Sequence, residues 1–403
     1  MIENKLIIIP LGLPWNWPAD YEKKTALQLS GKNIVIPILF NEGLTLKNYL
    51  ISLFGPKKSI FLYKYKKLFL FKPLYFIPFQ RIKIIRNINY SLSVLILKFF
   101  IFCKKRFREK KKVLWIFTSS INFASFFTDN CFVIYDCVDL VTSVNAEIKN
   151  KKIEKETELI KRTDAIFTTS RFLSEYHRKK FLKTYYVSQG VDIELLLRNN
   201  NYHCPKDLEK IPTPRIGFVG NINYRLDYNF IIKLAKITPD YSYIFIGPEV
   251  PVDNDNPLLN TQKNIEKLKK LKNIYFLGEK QKADISKYIS FLNFGFIPYK
   301  KNLQFNKYSY PMKLLEYFYF KKPVISTRII EFINLVPYVV ITDSHFEAKL
   351  ALEKIIKNGW PKKHQQYQYK FAINHSWKSK LEKIEKTLKN EYPHFFDRIA
   401  SYE

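Results

Sequence analysis

Cysteine, acidic residues and long apolar runs are scarce in this 403-residue chain, and each shortage excludes a class of protein. The four cysteines, at positions 103, 131, 137 and 204, form no CxxC pair, and the six histidines show no HExxH spacing. We therefore expect reduced thiols and no structural zinc site. With 36 acidic and 67 basic residues the formal net charge is +31, which favours an anionic partner.

The apolar segments are short and interrupted. The longest candidate for a membrane span, residues 91–102, contains Lys98, so we do not expect the chain to cross a membrane. The amino-terminal MIENKLIIIP has an acid where a signal sequence would be basic, and it is predicted to be a first strand. A hydrophobic fraction of 47% excludes a disordered protein, and the length allows two separate cores.

Only eleven glycines are present, and three of them close short apolar runs. Gly220, Gly247 and Gly278 end RIGFVG, YIFIG and IYFLG. From Arg215 onward such runs alternate with helix-like stretches of about ten residues, which predicts a doubly wound parallel sheet covered on both faces. The ligand of such a domain lies beyond the carboxyl ends of the strands.

The first half of the chain has the same alternation in a less regular form. Strands are predicted at 5–10, 33–38, 113–117, 131–135 and 165–168, with a helix after the PWNWP loop and another over 145–163. The Asn- and Pro-containing stretch 189–212 is predicted to be a linker. The sequence thus predicts α/β domains over residues 1–200 and 211–375, followed by a helical tail over 376–403.

The segment SYPMKLLEYFYFKKPVIST, residues 309–327, predicts a short helix that leads into a buried strand. Pro311 suits the first helical position, and the helix should end near Lys321, just before the KP pair. Lys313 and Glu316 are three residues apart and share a face. A helix whose first turn offers free N–H groups, a cation and a carboxylate can hold a phosphate and a sugar hydroxyl together.

This segment resembles the donor-site signature P-x-K-x-x-E-Y followed by G-K-P-V-V of GT-B-type nucleotide-sugar glycosyltransferases. The resemblance implies two Rossmann-like domains that face a cleft, with a C-terminal helix that packs back on the first domain. It also implies that Glu316 binds the nucleotide ribose and Lys313 the diphosphate. Lys321 stands where the family usually has glycine, and Tyr308 stands where retaining members often have glutamate.

The loop NINYRLDYNF that follows Gly220 resembles bacterial glycosyltransferases of teichuronic acid and other cell-surface polysaccharide synthesis. We expect Gly220 and Arg225 to bind the donor, because a guanidinium at the strand ends can hold a diphosphate bidentately and neutralise the leaving group. Asp227 is predicted to cap the following helix.

Two further segments of the first half resemble the same relatives. In CFVIYDCVDLVTSV, Asp136 and Asp139 end an apolar strand, and either could orient or deprotonate an acceptor hydroxyl or simply cap a loop. In PLGLPWNWP, Trp15 and Trp17 follow the first strand, and they either stack on the acceptor or wedge the loop onto the core. The DxD-like Asp253-Asn254-Asp255 lies in a Pro- and Asn-rich loop, and no metal site is assigned there.

Residues 57–112 carry more than half of the excess positive charge. They contain seventeen Lys or Arg and one acid, Glu109, interleaved with thirteen Phe or Tyr. Such a stretch is attracted to anionic membranes and also to nucleic acid. Because no nucleic-acid-binding fold is recognisable elsewhere, we expect an anionic membrane surface and no nucleic acid.

These observations predict a metal-independent glycosyltransferase that needs no cofactor, since the nucleotide-diphospho-sugar is its substrate. The expected acceptor is a lipid-linked glycan in cell-surface polysaccharide synthesis. The expected location is the cytoplasm, peripherally associated with the inner face of the plasma membrane. Two alternatives remain open. A GT-B-fold sugar-nucleotide 2-epimerase would share the scaffold but would have little use for the basic, aromatic stretch, and a non-catalytic subunit that binds membrane or polyanion is favoured by departures such as Tyr308 and Leu140.

Overall fold

The structure is a computed structural model, and it describes residues 2–16, 21–48, 50, 61–119, 131–141, 146–197, 203–250 and 260–396. Strands and helices alternate through most of this range, as the apolar runs predict. The strands form two large sheets, one from each half of the chain, and a small two-stranded sheet.

The first sheet has eight strands in the order β10-β9-β8-β7-β1-β2-β5-β4. All neighbours are parallel except the hairpin partners β4 and β5. Its strands are β1 (Lys5–Pro10), β2 (Ile34–Ile38), β4 (Leu62–Tyr65), β5 (Leu68–Phe71), β7 (Lys111–Ile116), β8 (Cys131–Cys137), β9 (Ala165–Thr168) and β10 (Thr184–Tyr186). The short β3 (Leu44–Thr45) and β6 (Leu74–Tyr75) pair separately. Apolar cores lie on both faces of this sheet.

The helices of the first half cover that sheet. They are α1 (Tyr21–Leu29), α2 (Lys83–Cys103), α3 (Lys105–Arg108), α4 (Ala146–Ile160), α5 (Arg171–Arg178) and α6 (Ile193–Leu197). Ser170 caps α5 with its hydroxyl, which accepts a hydrogen bond from the N–H of Leu173.

The second sheet has six parallel strands in the order β13-β12-β11-β14-β15-β16. They are β11 (Arg215–Val219), β12 (Ser242–Ile246), β13 (Ile274–Gly278), β14 (Phe294–Ile297), β15 (Val324–Thr327) and β16 (Val340–Thr342). Numbered within the domain, this is the Rossmann order 3-2-1-4-5-6. The strand order reverses between β11 and β14, so a ligand is expected beyond the ends of these two strands.

The helices of the second half flank the second sheet and then return to the first. They are α7 (Lys206–Glu209), α8 (Tyr228–Ile237), α9 (Thr261–Lys269), α10 (Ile285–Ser290), α11 (Gln304–Tyr308), α12 (Lys313–Tyr319), α13 (His345–Asn358), α14 (Lys362–Asn374), α15 (Trp377–Glu391) and α16 (Pro393–Phe396). Helix α15 packs beside α1, and its Leu381, Ile384 and Leu388 join a core of the first domain.

The two domains contact each other directly. Glu331 of the second domain accepts hydrogen bonds from the N–H groups of Arg171 (2.6 Å) and Phe172 (3.2 Å) at the start of α5. The ring of Tyr308 packs edge-on against Phe172 and Tyr176 of the same helix. Tyr308, at the position where retaining members of the resembled family often have glutamate, therefore contributes to the domain interface.

Helix α12 begins two residues later than the sequence predicts. Pro311 precedes the helix, and its carbonyl accepts a hydrogen bond from the N–H of Leu314. The helix ends as expected, with Phe320 as C-cap and Lys321 in the left-handed region at φ 56°. Since that conformation favours glycine, it accounts for the glycine at this position of the donor-site signature that the segment resembles.

Among the described residues, helix α2 is long and apolar enough to cross a membrane by length and composition. In the folded protein 28% of its most apolar 18-residue window is buried. In this fold it connects two parallel strands of the first sheet, β5 and β7. The charge of Lys98 interrupts its sequence, but exposed apolar residues continue on both sides of it.

Candidate active site

A cleft of about 630 Å³ lies between the two domains. The second domain supplies most of its lining, from the ends of β11, β12 and β14 and from the segment that enters α12. The first domain contributes residues after β1 and β8 together with Gln189. The cleft thus opens at the carboxyl ends of the strands in both sheets, as predicted for doubly wound domains.

Arg225 is held rigidly on the second-domain wall of the cleft. Its Nε donates to Asn306 Oδ1 at 2.7 Å and an Nη donates to Ser309 Oγ at 3.1 Å. Its guanidinium also lies 4.4 Å from the ring centre of Tyr299 and 4.5 Å from that of Phe305. Because the side chain is fixed by hydrogen bonds and ring contacts, it can meet an anion with little loss of conformational entropy.

Lys313 lies beside Arg225 and shares a neighbour with it. The Lys313 ammonium donates to the hydroxyl of Tyr299 and lies 4.6 Å from the ring centre of Phe218. Burial acts to raise the pKa of Tyr299, but Lys313 and Arg225 outweigh it, so this pKa lies below its ordinary value. The lowered pKa is a sign of a positive potential at this point of the cleft.

Two glycines shape the floor of the cleft near Lys313. Gly220 has φ 137° and Gly247 has φ 144°, a range that residues with side chains rarely adopt. A Cβ on Gly247 would lie 2.2 Å from the carbonyl oxygen of Gly220, and a Cβ on Gly220 would lie 3.3 Å from the Lys313 Nζ. Glycine is therefore required at Gly247 for the two strand ends to approach each other, and at Gly220 it leaves space in front of the lysine.

Glu316 lines the same wall one turn after Lys313 and is half-buried. The residues before α12, from 309 to 312, also line the cleft. The structure therefore brings together all four residues predicted to bind the donor: Gly220, Arg225, Lys313 and Glu316.

Asp139 faces this group from the first domain. Its side chain is exposed to the cleft, two residues beyond the end of β8. Desolvation of the carboxylate between the walls of the cleft raises the pKa of Asp139, and the positive charge of Arg225 opposes the rise. The carboxyl group is thus placed in the field of the second-domain cations.

Asp136 is in a different environment, and the prediction that it reaches the cleft is wrong. It is fully buried within β8, and its carboxylate accepts hydrogen bonds from Lys380 Nζ at 3.2 Å and from Trp115 Nε1 at 3.4 Å. Lys380, on the C-terminal helix α15, also donates to Gln189 at 3.3 Å. Asp136 therefore ties the returning helix to the first domain.

The prediction that Trp15 and Trp17 stack on the acceptor is also wrong for Trp15. Trp15 is buried, packs edge-on against Tyr65 with ring centres 5.8 Å apart, and does not line the cleft. The backbone N–H of Trp15 donates to Glu42 Oε1 at 3.1 Å, and the buried ring holds the loop against the core. Trp17 and the DxD-like Asp253-Asn254-Asp255 lie outside the described residues.

Sequence reasoning missed several residues of the site. Tyr299 is two residues beyond β14, and the rule that ligands lie at strand ends could have identified it. Asn306, which fixes Arg225, had no such signal. Tyr21 and Lys23 line the first-domain wall from α1, where the sequence shows only an amphipathic helix.

Within the described residues, Cys137, Glu156 and His177 form a buried cluster behind the cleft, with candidate ligand atoms within 4.8 Å of one another. Tyr135 donates to Glu156 at 2.9 Å, and Cys137 Sγ lies 3.4 Å from His177 Nε2. Burial lowers the pKa of His177 to about 4 and raises that of Cys137. We interpret the cluster as neutral core hydrogen bonding.

No family model matches the chain. The chain is 26% identical over 270 residues to TuaH of Bacillus subtilis (strain 168), a candidate teichuronic acid biosynthesis glycosyltransferase. The matched region spans 63% of this chain and 66% of TuaH.

Several solved structures share the fold over nearly the whole chain. Sucrose-phosphate synthase from Thermosynechococcus elongatus gives a TM-score of 0.69 at 11% identity, covering 97% of this chain and 100% of that chain. Anabaena HepE in complex with UDP and glucose gives a TM-score of 0.65 at 14% identity, and the match covers 96% of this chain and 100% of the HepE chain. These matches confirm the predicted pair of Rossmann-like domains. The chain thus shares the two-domain fold of these solved structures, and its sequence is similar to that of TuaH.

Proposed function

We propose that the chain transfers a sugar from a nucleotide-diphospho-sugar to a glycan acceptor in the cleft between its domains. The observation that carries the proposal is the pairing of Arg225 and Lys313 around Tyr299 at the strand ends of the second domain. Two fixed cations on one wall suit a diphosphate. The UDP and UDP-glucose complexes of HepE support a nucleotide donor in this fold.

In the proposed reaction the bond between the anomeric carbon and the diphosphate oxygen breaks, and the acceptor oxygen bonds to that carbon. The electron pair stays with the departing nucleoside diphosphate, whose negative charge Arg225 and Lys313 stabilise. The acceptor hydroxyl loses its proton. Asp139, on the opposite wall, is the proposed group that orients this hydroxyl or accepts its proton. Glu316 is proposed to hold the nucleotide ribose.

The acceptor is proposed to be a lipid-linked glycan presented at the inner face of the plasma membrane. Support comes from the basic, aromatic stretch 57–112 and from the likeness to a candidate teichuronic acid enzyme. On this proposal the protein works in the cytoplasm and needs neither a metal nor a cofactor.

Single substitutions of the donor-binding residues test the proposal. We expect Lys313→Ala and Glu316→Ala each to lower kcat/KM about tenfold or more, because each removes a contact to the donor. Initial rates with radiolabelled donor, measured with and without acceptor, also separate transfer from isomerisation of the donor alone.

Lys349→Ala and Glu353→Ala are the matched controls. These residues form a surface ion pair at 3.7 Å on α13 of the same domain. Their variants should retain full activity. Unchanged kinetics in both cleft variants would remove the site assignment.

A further inference from the structure

The outer face of helix α2 carries an apolar stripe that nothing in the described protein covers. The stripe consists of six side chains that are each between 37% and 71% exposed: Ile84, Ile88, Leu92, Leu95, Phe99 and Phe102. Their spacing of three or four residues places them within an arc of about 80° on an ideal helix. A contiguous exposed apolar surface of this kind marks an interaction site.

The opposite face of α2 is firmly attached to the first domain. The Asn89 side chain exchanges hydrogen bonds with the backbone of Ile77 at 2.8 and 3.0 Å, and Ser93 donates to the carbonyl of Leu74 at 2.8 Å. Val94, Leu97 and Ile101 are buried in the core on this face. The exposure of the stripe is therefore a property of the folded domain.

This attachment excludes a membrane-spanning arrangement for α2 in the folded protein. The chain reaches α2 from β5 through the short β6 and continues from it through α3 to β7, and β5 and β7 belong to one sheet. To cross a bilayer, the helix would have to leave that sheet and expose its core-facing side. A helix that keeps its place can only lie along a membrane surface.

Basic side chains stand at both ends of the stripe. Arg81 and Lys83 are exposed at the amino end, and Lys104, Lys105, Arg106 and Arg108 are exposed at the carboxyl end. Glu109 is the one acid in the sequence from 57 to 112, and it pairs with Lys105 at 3.9 Å. An apolar stripe with cations at its ends matches an anionic bilayer, whose headgroups attract the cations while its acyl region accepts the stripe.

A second copy of the chain would fit this surface poorly. Packing two stripes against each other would bring the basic ends of both copies together. Like charges at an interface repel, and this cost would oppose the apolar gain.

We propose that the outer face of helix α2 is the docking surface for an anionic lipid bilayer, with the helix axis parallel to the membrane plane. This inference deepens the proposed function and rests on it for the lipid-linked acceptor. Helix α2 links parallel strands, so its amino end lies at the carboxyl edge of the sheet, where the cleft opens. A lipid-linked acceptor would therefore approach the cleft from the end of α2 that carries Arg81.

Vesicle flotation tests the docking surface. Probes are vesicles of phosphatidylcholine alone and of phosphatidylcholine with 30% phosphatidylglycerol. The wild-type protein should float with the anionic vesicles, and Leu95→Asp/Phe99→Asp should lower the partition coefficient about tenfold or more. Lys104→Gln/Lys105→Gln/Arg106→Gln should weaken binding and reduce its salt dependence.

The matched control is Phe346→Asp/Leu350→Asp. These side chains are 61% and 65% exposed on α13 of the second domain, and their replacement should leave vesicle binding unchanged. Melting temperatures of all variants establish that each is folded. Equal flotation of the wild-type and stripe variants overturns the proposal, as does equal binding to neutral vesicles. If the wild type binds no vesicles but self-associates in sedimentation velocity, and the stripe variant does not self-associate, the stripe would instead be an interface with a second copy of the chain.

Nucleotide binding separates this inference from the proposed function. If no nucleoside diphosphate shifts the melting temperature of the wild type while it still floats with anionic vesicles, the proposed sugar transfer fails and the docking surface stands.

Discussion

Asp136 and Asp139 are three residues apart but lie in different surroundings. Asp139 is open to the cleft, while Asp136 is buried against Lys380, a residue 244 positions later in the chain. The sequence shows two acids at the end of a strand and cannot separate them, because the partner of Asp136 arrives with a distant helix. Burial and pairing assign a structural role to Asp136 and leave Asp139 as the candidate for chemistry.

Substitution to asparagine should separate these roles. Asp139→Asn should lower kcat about tenfold or more and change the free energy of unfolding little. Asp136→Asn should lower the free energy of unfolding by about 3–5 kcal/mol, because it leaves the Lys380 ammonium buried without its counter-ion. Initial rates give kcat and urea unfolding gives the free energy of unfolding for each variant.

The double variant Asp136→Leu/Lys380→Met is the control, since removing both charges should restore much of the lost stability. A stable Asp136→Asn protein, or an unfolded Asp139→Asn protein, would contradict the assignment of roles.

At the scale of elements, the sequence predicts much of the second domain. Glycines end its strands, and Asp227 is confirmed as the cap of α8, where its carboxylate accepts from the N–H of Phe230 at 3.0 Å. The first domain was harder to predict because its hairpin β4–β5 and helix α2 lie within one basic, aromatic stretch without glycine punctuation. The exposed stripe on α2 was not predicted, because the covering of a helix face depends on tertiary packing.

The end of α12 gives a prediction at this scale. Lys321→Gly should raise the free energy of unfolding by about 0.5–1 kcal/mol, because Lys321 is held at φ 56° and glycine adopts this conformation without strain. The same change at Lys349, inside α13, should lower it by about 1 kcal/mol. Thermal and urea unfolding measure both variants. Equal losses at the two positions would show that the left-handed conformation carries no strain.

At the scale of the whole molecule, alternation of strands and helices predicted two doubly wound domains, but the strand order and the mutual placement of the domains were beyond the sequence. Contacts such as Glu331 with the start of α5 join residues 160 positions apart. The cleft that results places Asp139 on one wall and the two cations on the other. Its chemistry depends on the claim that these cations bind a diphosphate.

Calorimetric titration with uridine, guanosine, thymidine and adenosine diphosphates tests that claim most directly. We expect the wild-type protein to bind one of the four, and Arg225→Ala and Lys313→Ala each to weaken this binding about tenfold or more. Absence of binding by all four nucleotides, or wild-type affinity in both variants, would contradict it.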